Sequence, residues 1–225
     1  MDAAREKLLR GVVDVPSLLD YEGRDGGEVK HDLVLLQMLN EVAVRWPGIE
    51  TRKILLAGFS GGGSFAQRFM YLYPERLRAV SVGALGDPTL LDYGKDWPRG
   101  VKDVDSIFGK EVDMEALKRV PILASVGADD HGSDVKMAKR ALQVGGVGGG
   151  EEVSRTRVER LQFIVEEWKG MGLDVELEIV PAVGHVMEKV NVAVLPFMAR
   201  QLEMYWKELG EIPDENEGGE AKSSK

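Results

Sequence analysis

A chain of 225 residues, 44% of them hydrophobic and 30% charged, is long enough to enclose a substantial core in one domain. Its 38 acidic against 29 basic residues leave a net charge of -9, which opposes binding to the phosphate backbone of a nucleic acid. The absence of cysteine excludes disulfides, thiolate catalysis and cysteine-ligated zinc, leaving Ser, Thr, Lys or a carboxylate as the main candidate nucleophiles.

Residues 1–28 read as an irregular segment, with one weak strand at 11–15 (GVVDV). Charges interrupt every apolar run in MDAAREKLLRGVVDV, so no signal peptide is expected, and no stretch of the chain reaches the roughly 20 apolar residues of a membrane span. The expectations are a cytoplasmic location, no membrane partner and no nucleic-acid partner. Residues 29–46 place Val29, Leu33, Leu36, Leu39, Ala43 and Trp46 at spacings of three and four, the pattern of an amphipathic helix that Pro47 and Gly48 end. KILLAGF, 53–59, is an apolar run suited to a strand buried on both faces, and a helix leaves the glycines that follow and stops near Pro74.

Further strands are expected at 79–84, 121–128 and 175–180, with helices near 113–119, 134–143, 153–169 and 190–209. Alternation of this kind predicts an α/β fold, a mostly parallel sheet with helices on both faces and right-handed crossovers. The final helix would turn Val194, Phe197, Met198, Leu202, Tyr205 and Leu209 inward, with Pro196 near its start or at a kink. The organisation expected is a core domain at 29–210 with an insert at 85–119, a glycine connector at 145–150 and a disordered acidic tail at 211–225.

Chemistry concentrates at Gly58-Phe59-Ser60-Gly61-Gly62, a G-x-S-x-G match between a strand and a helix. A serine hydroxyl needs a base to take its proton, and the base needs an acid to orient it. Of three histidines, His185 follows the last expected strand, whereas His31 lies in the first helix and His131 in a loop. Asp130 follows the strand at 121–128, with Asp129 and Asp87 as alternative acids. The Gly61 N–H, at the helix start, would face a developing oxyanion. Phe59, Tyr93 and Trp97 are candidates for an apolar substrate pocket, although Tyr93 and Trp97 could equally anchor the insert.

Together LLAGFSGGGSFAQRFMYLYPERLRAVSVGALG, VGADD and VPAVGH resemble the second half of an α/β-hydrolase, most similar to small serine esterases and depolymerase-like hydrolases. The resemblance implies a Ser60–Asp130–His185 triad, hydrolysis of a small-molecule carboxylic ester through an acyl-serine, and no cofactor or metal. It also implies several strands before the elbow and a loop carrying a second oxyanion donor, and no His-Gly pair precedes Ser60. The expectation is therefore an N-terminally short core whose strand 53–59 leaves a free edge. The alternatives to such a shortened chain are that residues 1–28 cover that edge or that a second copy does in a homo-oligomer.

Rival readings remain at this level. Gly61-x-Gly63-x-x-Ala66, with Asp87 further on, matches a relaxed nucleotide-binding fingerprint and would make the chain an oxidoreductase. Asp129, Asp130, His131 and Asp134 could gather a hard cation, although their spacing fits no EF-hand. A non-catalytic or impaired hydrolase-like protein would follow if the second oxyanion donor were missing.

Overall fold

The structure is a computed structural model that describes residues 31–86, 88–132 and 156–210. The expected strand at 11–15, helix at 134–143, connector at 145–150 and tail at 211–225 lie outside those residues. The described elements are α1 (His31–Arg45), β1 (Ile54–Phe59), α2 (Gly61–Leu72), a 3-10 turn (Pro74–Arg76) and β2 (Leu77–Gly83). Then come α3 (Val104–Phe108), α4 (Met114–Leu117), β3 (Ile122–Gly127), α5 (Arg157–Gly170), β4 (Val175–Val180) and α6 (Met187–Glu208).

The four strands run in the order β1-β2-β3-β4, each pairing in parallel with the next. Parallel neighbours need crossovers, and α2 and α5 supply two of them. Side chains alternate along each strand as the pleat demands. Val80, Val82, Ile122, Ala124 and Val126 join the main core with Ala66 and Phe69 of α2 and Leu161, Ile164 and Trp168 of α5. Ala79 and Leu123 point the other way, onto Val194 and Phe197 of α6. The result is a mostly parallel sheet with helices on both faces, as expected.

Local chemistry explains the helix ends. Pro74 cannot continue α2, whose last turn closes with the Tyr73 N–H donating to Phe69 O at 2.8 Å. In α5 the Thr156 side chain accepts from the Glu159 N–H while the Glu159 carboxylate accepts from the Thr156 N–H, a capping box that fixes where the helix begins.

A buried polar network ties the 85–119 insert to α2. Gln67 accepts from the Thr89 N–H at 2.9 Å and donates to Thr89 O at 2.9 Å, and Arg68 Nε donates to Thr89 Oγ1 at 3.0 Å. Tyr71 donates to Thr89 O at 3.0 Å and accepts from Trp168 Nε1 at 2.7 Å. Burial pushes the Tyr71 phenol far above its ordinary range.

Three sequence expectations need correction. KILLAGF is not buried on both faces: β1 is half-buried with Ala57 exposed, because among the described strands it stands at the sheet edge with β2 as its one neighbour. In α1 Leu33 is 41% exposed, and Trp46, just past the helix end, is 55% exposed, while Asp32 is buried and accepts from Tyr73 Oη at 2.7 Å. Leu35 and Leu36 make the helix's contact with the core. Leu209 is 52% exposed at the end of α6, beyond the reach of the sheet, and Pro196 lies inside that helix.

Candidate active site

Ser60 sits between β1 and α2 with φ 57° and ψ -118°, a conformation that side-chain-bearing residues seldom adopt and that costs about 1–3 kcal/mol. The neighbouring contacts hold it there. The Ser60 N–H donates to Gly83 O of β2 at 2.9 Å, and Ser60 O accepts from the Ser64 N–H at 3.1 Å. A Cβ on Gly58 would lie 2.0 Å from Gly62 O, and one on Gly63 would lie 2.4 Å from Gly83 O. Both positions therefore need glycine, one for the turn and one for the approach of α2 to β2. The Ser60 hydroxyl makes no cap to α2, and Gly61 begins that helix, where the first N–H groups have no intrahelical acceptor.

The loops after β3 and β4 meet beside this turn. A Cβ on Gly127 would lie 2.1 Å from Val183 O, and the Asp129 N–H donates to Val183 O at 2.8 Å, so the two loops are joined backbone to backbone. That junction brings Asp130 Oδ2 within 2.6 Å of His185 Nδ1. Asp130 is 2% exposed, and its Oδ1 accepts from Arg157 Nη1 at 3.1 Å. A carboxylate only accepts, so the proton of this bond sits on His185 Nδ1, and Nε2 is the lone-pair acceptor of the neutral ring.

Phe59 links the two parts of the site. Its ring centroid lies 4.7 Å from that of His185, and it packs with Val180, Val183 and Val190. Among the described residues the hydrogen bond of His185 runs to Asp130, and none joins it to Ser60.

The remaining expected residues fall elsewhere. Asp129 is exposed, His131 is exposed, and Asp87 and Asp134 lie outside the described residues. No group of three or more potential metal ligands occurs among the described residues. Tyr93 lines a cavity of about 340 Å³ with Leu90, Phe163, Glu167 and Trp168. Trp97 lines a different hollow with Asp32, Phe65, Arg68 and Phe108. None of Ser60, Asp130 and His185 lines either space; Trp97 meets Phe108 edge-on at 5.1 Å within the insert, and the Arg68 guanidinium of α2 lies 5.7 Å from the Trp97 ring centroid, a contact that ties the insert to that helix. Arg157 was invisible to sequence reasoning: 27 positions and a glycine-rich stretch separate it from Asp130.

No protein-family model and no curated protein matches the chain. Solved structures do. The poly(3-hydroxybutyrate) depolymerase LpqC from Bordetella parapertussis is 19% identical, with a TM-score of 0.53 over 83% of this chain and 60% of its own. Poly(aspartic acid) hydrolase-1 from Sphingomonas sp. KT-1 is 20% identical, with a TM-score of 0.53 over 70% of this chain and 58% of its own. The chain thus spans less than two thirds of either relative's length. No described helix is long and apolar enough to cross a membrane. At such identities the likeness is one of fold, and with the parallel sheet and its flanking helices it gives this chain an α/β-hydrolase-like fold.

Proposed function

We propose that the protein is a serine hydrolase that cleaves carboxylic esters through an acyl-Ser60 intermediate. The observation that carries this reading is the hydrogen bond at 2.6 Å between buried Asp130 and part-buried His185, with Phe59, the residue before a serine in a strained strand-to-helix turn, packed on the imidazole. The names of the two similar structures, a depolymerase and a hydrolase, are in keeping with it.

In this scheme His185 Nε2 takes the Ser60 Oγ proton as Oγ attacks the ester carbonyl carbon. Charge develops on the carbonyl oxygen, where the Gly61 N–H at the positive end of α2 donates to it. Collapse of the tetrahedral species expels the alcohol with the proton from His185. Water, deprotonated by His185, then attacks the acyl carbon, releasing the acid and returning the proton to Ser60. Asp130 holds the imidazole in the required tautomer throughout.

Incubation of the folded chain with a fluorophosphonate should label Ser60, and p-nitrophenyl acetate should be hydrolysed. Ser60→Ala should remove the label and lower kcat by about 10⁴-fold or more. Folded protein that takes no label, or takes it at another residue, would overturn the reading in favour of a non-catalytic hydrolase-like protein.

A further inference from the structure

Resting on the hydrolase reading, we infer that Arg157 is a positioning residue for that site, holding Asp130 so that its second oxygen presents correctly to His185. The two carboxylate oxygens are divided: Oδ2 faces His185 Nδ1 at 2.6 Å and Oδ1 faces Arg157 Nη1 at 3.1 Å. Bonded on both sides, the carboxylate cannot turn about its Cβ–Cγ bond without losing one partner. The side chains of Asp130 and Arg157 are 1% and 10% exposed, so water does not substitute for either.

Arg157 is well placed to transmit rigidity. It is the first residue of α5, where the Thr156–Glu159 capping box fixes the helix start. Leu161, Ile164 and Trp168 fix the helix body in the main core. A cation at the first turn of a helix opposes the positive end of the helix, so this position is unfavourable for arginine unless an anion sits against it. Asp130 is that anion.

Gly132 completes the device. A Cβ there would lie 2.2 Å from Arg157 Nη1, and Nη1 also reaches Gly132 O at 3.4 Å. The acid's loop therefore passes the guanidinium with no side chain between them. Through Arg157, α5 sets the direction of the Asp130 carboxylate, and a small error in that direction is carried to Nε2 and the reacting proton.

The test uses the full chain. Arg157→Met should lower kcat for p-nitrophenyl acetate by about 10- to 100-fold with KM unchanged, a size expected from misplacing a catalytic group by about 1 Å. Arg157→Lys, which keeps the charge, should recover part of that loss. In parallel, proton NMR of the inactive Ser60→Ala chain should show a downfield His185 Nδ1–H resonance, which adding Arg157→Met should shift or broaden and adding Arg157→Lys should largely preserve. A folded Arg157→Met chain with unchanged kcat and an unchanged resonance would overturn the inference. So would losses that track the unfolded fraction alone. Should Arg157→Met fail to fold, the same two readouts on Arg157→Gln and Arg157→Lys decide. The NMR readout needs no turnover, so a chain that hydrolyses nothing refutes the hydrolase reading without deciding the role of Arg157.

Discussion

Gly58→Ala is expected to destabilise the chain by about 3–5 kcal/mol or prevent folding, which places it among the most damaging single changes. The added methyl would meet Gly62 O at 2.0 Å, Gly62 C at 2.4 Å and Gly63 N at 2.9 Å, all backbone atoms of α2's first turn. No rotamer change relieves such contacts. The helix must retreat from β1, and α2 is held from retreating by Gly63 against Gly83 and by Phe69, Met70 and Tyr71 in the core. Gly62→Ala is the matched control, since a Cβ there meets nothing within 4 Å. Alanine in the helix interior is favoured over glycine by up to about 1 kcal/mol, so that variant should be neutral or slightly stabilised. Urea denaturation of both, followed by circular dichroism, checks the contrast. A Gly58→Ala chain as stable as the parent would show that the turn is not built as described.

Asp130→Asn should lower kcat by about 10⁴-fold and stability by about 3–5 kcal/mol, although the two side chains are nearly the same size and shape. Asp130 faces two donors, Arg157 Nη1 and His185 Nδ1–H. An asparagine has one accepting oxygen and one donating nitrogen, so it cannot satisfy both. With its oxygen to Arg157, its amide donates to His185 Nδ1 and drives the imidazole proton to Nε2, the wrong tautomer for accepting from Ser60. With its oxygen to His185, it points a donor at a buried guanidinium. Asp129→Asn, at an exposed neighbour, should change stability by no more than about 0.5 kcal/mol. Steady-state hydrolysis and thermal melts of the pair separate the two carboxylates. Equal effects at 129 and 130 would sink the assignment of the acid.

The legible parts of this fold were those set by local pattern. VELEIV at 175–180 coincides with β4, and the glycine-flanked serine falls between β1 and α2 as its motif requires. That Asp130 and His185 would meet was foreseeable because each lies in the loop after a strand, and parallel strands deliver such loops to one end of the sheet. What pattern could not give is tertiary. The face of α1 was misread because Leu33, and Trp46 just past the helix, have the right spacing but stay exposed, whereas Asp32 is buried and hydrogen-bonded to Tyr73, 41 positions away. Burial of β1 was overestimated because apolar composition reports what a strand could bury, while its place in the strand order decides what it does bury. Arg157 carried no signal, since nothing in its neighbourhood distinguishes an arginine that caps a carboxylate from one that faces water.

Among the described strands β1 stands at the end of the sheet, and under the proposed hydrolase reading that position governs how Ser60 would lose its reactivity. Ser60 keeps its strained torsions only while its N–H is bound to Gly83 O and Gly63 is seated on the same residue, so the strain is held by the β1–β2 seam. Half-buried outer strands open at lower free energy than interior ones. Fraying of that seam lets the serine relax to an ordinary backbone conformation while β2, β3 and β4 remain paired. In rising urea, the rate of fluorophosphonate labelling should fall before far-UV circular dichroism changes. Coincident transitions would mean that the outer strand and the interior yield together. Under the proposed reading, inactivation is then expected as a local event at one seam, with the loss of the fold following as a separate step.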